Sequence, residues 1–287
     1  MNRFFNVSNL YFSYDKKKEN EEFENFVLKK LNFTVEKGEH VAIVGANGCG
    51  KSTLSKLLNA ILTPTKGVVL VKGIKTSNKE TIYEIRKNVG LIFQDADNQI
   101  VATIVEEDVA FALENLCVPQ KDIEEIVNKS LESVGMLSFK KSMVENLSGG
   151  QKSKIAIAGI LAMQPECIIF DEATAMLDPK SRKEVLKIIK DLNKNKGITI
   201  VNITHNMKEV CFADRVIVLK DGQVLKEGKP KEIFSDDLTL KEAKLCLPQL
   251  CELIKKLNEK GLVKEKVAIN FDECVEILVG SNLLKGE

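Results

Sequence analysis

The stretch GANGCGKST, residues 45–53, follows directly on the apolar run VAIV at 41–44 and leads into LSKLLNAIL at 54–62. Six of its nine residues are Gly, Lys, Ser or Thr, where a core-building chain would place Leu or Val. The spacing Gly45-x4-Gly50-Lys51-Ser52 fits a phosphate-binding loop, and an apolar strand before it and a helix-forming segment after it are the context that pattern requires. Glycines let successive backbone N–H groups turn inward on a phosphate chain, a lysine reaches the β and γ phosphates, and the adjoining hydroxyl can ligand Mg²⁺. The loop therefore points to a nucleoside triphosphate. Alone it does not separate a kinase from a GTPase or a motor.

Composition narrows the field around this loop. A chain of 287 residues with 44% hydrophobic content has material for a real core, one large domain or one domain with an appendage. Lys plus Arg (42) nearly cancels Asp plus Glu (41), so no global basic field argues for a nucleic-acid partner. Seven cysteines without a CxxC pair, and no amino-terminal apolar segment preceded by positive charge, lead us to expect a protein of the reducing cytosol. No window approaches the roughly 18 consecutive apolar residues of a spanning helix, so work at a membrane would require docking on another protein.

Outward from the loop, β-branched and aromatic runs at 4–7, 10–14, 30–35, 41–44 and 68–71 predict a sheet-rich first section. The mixed-charge segment DKKKENEEFENF, residues 15–26, reads as a solvated loop between two strands. From Gln94 to about Gln164 the period turns helical. Thr103 and Glu106 have capping-box spacing ahead of Val109, Ala110 and Leu113, and Ile123, Ile126, Val127, Ser130, Leu131 and Val134 recur at helix period. Strand-like runs return at 167–170, 199–203 and 215–219, with a helical stretch at 180–195, the alternation of a largely parallel sheet. Asp221-Gly222 is a hairpin turn signal. After Pro230, Leu250, Leu253, Ile254 and Leu257 fall at helical spacing in a small carboxy-terminal appendage.

Two further elements carry chemistry. CIIFDE, residues 167–172, is four apolar residues ending in two carboxylates. Asp171 at a strand tip can hold a Mg²⁺ shell, and Glu172 can accept hydrogen bonds from water attacking a γ-phosphate; an acidic helix start is the plainer alternative. LSGGQ, residues 147–151, precedes an apolar-rich helix over 155–163 and lies twenty residues before Asp171. Ser148 and Gln151 have capping-box spacing, and Gly149 and Gly150 leave a helix N-terminus bare, so its N–H groups and positive dipole end can face a phosphate.

LSGGQ at this distance from CIIFDE resembles the signature arrangement of ATP-binding-cassette (ABC) ATPases, and the resemblance covers nearly the whole chain. It implies an α/β phosphate-loop NTPase with an antiparallel β subdomain, a helical signature subdomain at about 94–164 and, after a cassette of 1–230, an appendage at 231–287. It implies ATP held by Gly45, Ala46, Asn47, Gly48, Cys49, Gly50, Lys51, Ser52 and Thr53, with Ser148, Gly149, Gly150 and Gln151 binding the γ-phosphate held by a second subunit. Mg²⁺ would be held by Ser52, Gln94 and Asp171, and the catalytic residues would be Glu172, His205 and Gln94. Gln94 resembles the glutamine that senses Mg²⁺ and attacking water, Asp178 in ATAMLD the aspartate that speaks across the dimer, His205 the switch histidine on the γ-phosphate, and Tyr14 the aromatic that stacks on adenine, with Tyr11 and Phe12 as competitors. Cys49 is open to thiol reagents. The chain departs from the family at Ser153-Lys154, where Gln-Arg is common; lysine keeps the charge and loses the guanidinium fork.

FQDADNQIVATIVEEDVAFALEN, residues 93–115, together with ATAMLDP and LPQLCELIKKLNEKG at 247–261, is similar to the first ATPase subunit of energy-coupling factor (ECF) transporters, the prokaryotic vitamin and metal importers. Such subunits pair with a second ABC ATPase, or with their own kind, and dock at the cytoplasmic face of the membrane on a transmembrane coupling subunit, which serves substrate-binding membrane subunits. An ATPase of an ordinary importer shares every hydrolytic motif and stays open, as does a nucleotide-regulated binding module. A soluble cassette acting on DNA or the ribosome fits less well. Fewer than a hundred residues, without sustained heptads, separate loop and signature, and the chain carries one cassette.

Overall fold

The computed structural model describes residues 2–15 and 26–281. All but the two ends of the mixed-charge segment 15–26 lies outside the described residues. The chain runs β1 (Arg3–Phe12), β2 (Leu28–Glu36), β3 (His40–Gly45), α1 (Lys51–Leu58), β4 (Lys66–Val71), β5 (Ile74–Lys75), α2 (Ile82–Asn88), β6 (Val89–Ile92), α3 (Val105–Asn115), α4 (Gln120–Ser133) and α5 (Gly149–Ala162). It continues with β7 (Cys167–Asp171), α6 (Pro179–Lys194), β8 (Thr199–Ile203), α7 (Met207–Val210), β9 (Arg215–Lys220), β10 (Gln223–Gly228), α8 (Pro230–Phe234), α9 (Asp237–Glu242), α10 (Gln249–Glu259) and α11 (Phe271–Gly280).

The strands form two sheets. An antiparallel one has the order β2-β1-β4-β5, and a six-stranded one the order β10-β9-β3-β8-β7-β6, parallel except for β10. The runs expected at 4–7 and 10–14 are one strand: Asn9 takes φ 45° and interrupts the register between Val7 and Leu10, while its N–H donates to Asn32 Oδ1 at 2.8 Å. β3, β7 and β8 are buried along their whole length because helices cover both faces, which is why they read as unbroken apolar runs. Val41 and Ile43 of β3 point to α1 and the antiparallel sheet; Ala42 and Val44 point to the other face, toward α7, α8 and α10. α5 and α6 close a third cluster over Ile92, Ile168, Phe170 and Ile200. After Pro230, Ile233, Phe234, Leu240 and Cys251 join the cluster on Ala42 and Val44, and Ile254, Val263, Ala268, Cys274 and Ile277 form a small cluster of their own.

The Asp221-Gly222 turn joins β9 to β10 with both residues at positive φ, 49° and 79°, as a two-residue hairpin of this twist demands. Gly222 also accepts the N–H of Lys29 at 2.8 Å and so ties β2 to the central sheet. One local expectation fails. Ile104, not Thr103, caps α3, and no side chain caps it. The first N–H groups of that helix donate instead to backbone carbonyls of Ser142 and Lys140, and the Thr103 carbonyl accepts from Val144, so a segment forty residues away replaces the capping box.

Candidate nucleotide site

β3 ends in the phosphate loop, and the loop's shape is enforced from outside it. Gly45 has φ +155°, and a Cβ there would lie 2.3 Å from the carbonyl oxygen of Leu219 at the end of β9. Gly50, at φ +99°, leaves 2.4 Å between such an atom and Leu28 Cδ2 at the start of β2. Another residue at Gly45 would have to displace the backbone of β9, and one at Gly50 would have to displace the Leu28 side chain while holding a left-handed φ. Lys51 opens α1 only 5% exposed, its ammonium folded back on the loop with donations to Gly45 O at 2.9 Å and Ala46 O at 3.1 Å. Cys49 is buried and burial raises its thiol, so the loop cysteine is shielded where the sequence left it open to reagents.

Beside the loop, β7 delivers the two carboxylates. Asp171 accepts from Ser52 Oγ at 3.0 Å and from Ser55 Oγ at 2.8 Å, and burial pushes its carboxyl above the usual range despite both hydroxyls. Glu172 sits at φ 53°, its N–H held by Ile203 O at 2.9 Å. Its carboxylate lies 4.0 Å from Lys51 Nζ on one oxygen and 3.3 Å from His205 Nδ1 on the other. His205 follows β8 and is more than half exposed. Tyr14 is 60% exposed, with its hydroxyl 3.1 Å from Thr53 Oγ1 and its ring edge-on to buried Phe12 at 4.9 Å. Phe12 lies in the core, and Tyr11 stacks edge-on with Phe26, so Tyr14 is the aromatic of the three that presents a face beside the loop.

The signature turn is built locally. Ser148 Oγ accepts from Gln151 N–H at 3.3 Å, and Gln151 Oε1 accepts from Ser148 N–H at 2.8 Å, completing the capping box expected from the sequence. A Cβ on Gly149 would meet nothing within 4 Å, whereas one on Gly150 would strike Ser181 Oγ at 2.3 Å, where α5 crosses α6. Asp178 caps α6 by accepting from the N–H groups of Lys180 and Ser181 at 2.9 and 3.1 Å, so signature and Asp178 meet at Ser181. Lys154 pairs with Glu184 of α6 at 2.5 Å, and Ser153 Oγ donates to Gly149 O at 3.0 Å; lysine here satisfies one carboxylate, for which no fork is needed.

Thus Lys51, Ser52, Asp171, Glu172, His205, Thr53 and Tyr14 converge, while Ser148–Gln151 and Asp178 form a second, separate group. Gln94 is exposed, and the side chain that shapes its loop is Gln99, which accepts from Phe93 N–H at 3.1 Å and donates to Leu91 O at 3.3 Å. Ser55, Gln99 and Arg182, which donates to the carbonyls of Thr174, Ala175 and Leu177, were not singled out by the sequence reading. Ser55 had a signal, one helical turn past Ser52. The other two reach back across a loop to backbone that no helix or strand period relates to them.

A parallel sheet ending in a glycine loop, with a lysine, paired carboxylates and a histidine at neighbouring strand tips, defines a phosphate-loop ATPase of cassette architecture. The family described as ABC transporter matches residues 28–175. The energy-coupling factor transporter ATP-binding protein EcfA1 of Clostridioides difficile is 50% identical over 275 residues, 96% of this chain and 98% of that protein. EcfA of Methanocaldococcus jannaschii is 51% identical over 236 residues, 82% of this chain and 84% of its own. Among solved structures, cbiO1 of Clostridium perfringens, described as part of the ABC transporter complex cbiONQ, superposes with a TM-score of 0.75 at 35% identity, over 89% of this chain and 100% of that one. The cassette MJ0796, dimeric and bound to ADP and Pi, gives 0.69 at 30% identity over 79% and 98%. The chain belongs to the ATP-binding proteins of energy-coupling factor transporters, within the ABC transporter family.

Proposed function

We propose that this ATPase drives an ECF-type importer of a micronutrient, a vitamin or metal ion, and that Glu172 carries its chemistry. It works as a dimer with a second ABC ATPase subunit, a heterodimer or a homodimer. It docks on a transmembrane coupling subunit, and through it on a substrate-binding membrane subunit, at the cytoplasmic face of the membrane. Among the described residues no helix is long and apolar enough to cross a membrane, which accords with a peripheral place. The near balance of charge accords with the absence of a nucleic-acid partner. Residues 1–230 form the cassette, with its helical part at about 94–164, and 231–287 the appendage.

The observation that supports this most is the carboxylate of Glu172, held 3.3 Å from His205 Nδ1 and 4.0 Å from Lys51 Nζ beside the loop. Lys51 binds the β and γ phosphates, and Tyr14 stacks on the adenine. Glu172 accepts hydrogen bonds from water, which attacks in line as the bond to the β,γ-bridging oxygen breaks; His205 donates to a γ-phosphate oxygen. The donors Ser52 and Asp171 would fit Mg²⁺: both present hard oxygens, and burial raises the Asp171 carboxyl in a way that a bound cation would relieve. Ser52, Gln94 and Asp171 would hold the ion; among the described residues no group of three or more His, Cys, Asp or Glu could hold a metal by itself. When bound, the ion neutralises charge on the β and γ phosphates. Ser148, Gly149, Gly150 and Gln151 close on the γ-phosphate held by the partner, with Asp178 beside them.

Glu172→Gln tests this. Phosphate release is expected to fall by about 10²-fold or more, as for losing a water-positioning base, with an ATP-bound dimer accumulating on gel filtration. Unchanged turnover would remove Glu172 from the chemistry. Purifying the membrane complex tests the importer class: a periplasmic-type binding protein in place of a membrane-embedded one would reject the ECF assignment.

A further inference from the structure

Glu209 belongs to none of the motifs above, yet it is 1% exposed and lines a cavity of about 440 Å³ shared with Glu172, Thr174, His205 and Asn206. A carboxylate is not buried so completely without donors to hold it. Three reach it: Thr174 Oγ1, Asn206 Nδ2 at 3.3 Å and Asn202 Nδ2 at 3.4 Å. They come from two pieces of chain, Thr174 from one and the two asparagines from the stretch that runs into Glu209 itself. Thr174 lies on the turn two residues after Glu172, Asn202 in the middle of β8 opposite Phe170 of β7, and Asn206 directly after His205.

We infer that Glu209 is a positioning residue for hydrolysis, clamping the Glu172 turn to the His205 loop so that the 3.3 Å approach of those two side chains is set before ATP binds. This rests on the roles proposed above for Glu172 and His205.

Both ends of the clamp are braced. The Thr174 carbonyl accepts from Arg182 Nε at 3.2 Å, so the residue is gripped by its hydroxyl and its backbone from opposite sides. Asn206 has its amide on Glu209 while its carbonyl oxygen accepts from Lys208 N–H at 3.1 Å, and its own N–H donates to Thr204 Oγ1 at 2.9 Å. Glu209 itself is fixed because Met207 and Val210, on the same short helix, are packed among Val216, Phe234 and Cys251. The clamp therefore leans on the carboxy-terminal helices through α7. A catalytic pair held at this distance loses rate steeply for small displacements, up to about 10²-fold for roughly 1 Å.

The experiment compares Thr174→Val, which removes a donor at nearly constant volume, with Thr174→Ser, which restores a hydroxyl, and with Glu209→Gln. Phosphate release against ATP concentration and thermal unfolding are measured on the assembled ATPase dimer. Thr174→Val and Glu209→Gln are expected to lower kcat by about tenfold with KM for ATP within about twofold. Thr174→Ser should return at least half of the turnover. Should Glu209→Gln fail to fold, Thr174→Val against Thr174→Ser decides. Wild-type kcat in folded Thr174→Val overturns the inference, and so does a fall in kcat that Thr174→Ser does not reverse. Glu172→Gln run in parallel separates the two readings. If it is inactive while the clamp variants turn over normally, the clamp alone is wrong; if it turns over like wild type, the assignment of Glu172 fails and the clamp with it.

Discussion

The phosphate loop and the signature turn both present glycine and backbone N–H groups at a helix start, but they are built in opposite ways. The loop at 45–50 is wedged between β9 and β2, and its lysine is buried on its own carbonyls. The turn at 148–151 is held by bonds within its own helix start, the capping box and Ser153 Oγ on Gly149 O, and by the packing of Gly150 on Ser181, with Gly149 facing open space. One half of a nucleotide site is thus finished within the chain. The other is a helix start whose N–H groups and positive dipole end suit an anion, the role proposed above for a phosphate held by a second subunit. That asymmetry accords with the dimer proposed above, in which each chain would complete its neighbour's site.

The comparison breaks most readily at Lys51. Lys51→Ala should cut phosphate release by about 10²- to 10³-fold, the range for losing one preorganised donor to a charged transition state. Loss of under tenfold would mean that the loop's N–H groups suffice.

The buried half should also carry the pH sensitivity. His40, at the start of β3, is 3% exposed with Nε2 unpartnered, and burial depresses it from 6.5 to about 4 against the opposing pull of Asp214. The unfolded chain takes up a proton between pH 6.5 and 4 that the folded chain refuses. Stability is therefore present in full above pH 6.5 and falls by about 3 kcal/mol toward pH 4. Urea unfolding of His40→Leu should show a shallower decline than wild type over that window; parallel declines would clear His40.

Smaller effects sharpen the contrast within the signature itself. Gly150→Ala forces a methyl into Ser181 and should cost about 1–3 kcal/mol of stability. Gly149→Ala meets nothing and should leave unfolding unchanged within about 0.5 kcal/mol, while weakening ATP-driven dimerisation seen by light scattering. Equal stability losses in the two variants would remove the distinction between a packed glycine and a docking one.

Much of this was legible in the letters. β3, β7 and β8 announced themselves as apolar runs because burial on both faces leaves no polar alternation, and Asp221-Gly222 gave its turn because two adjacent positive φ angles restrict the residues allowed. Lys51 and Ser52 stand out in the glycine-loop pattern that joins β3 to α1, and Asp171, Glu172 and His205 at or just past the ends of β7 and β8. The capping box at Thr103 does not form because the helix's first N–H groups are taken by residues 140–142, and Gln99, Arg182 and Glu209 escape notice because their bonds cross loops with no fixed period. Their partners are chosen by the folded path of the chain, and local spacing carries no trace of that.

The hydrogen bond from Lys29 to Gly222, with Leu28 and Leu219 pressed on either side of the loop, makes the two sheets a vice around six residues. The conformational entropy of those residues is given up when the protein folds, so nucleotide meets a rigid cradle, and association need not order it again. Loosening the vice at Leu28, a residue that never touches phosphate, would then appear as slower capture of ATP.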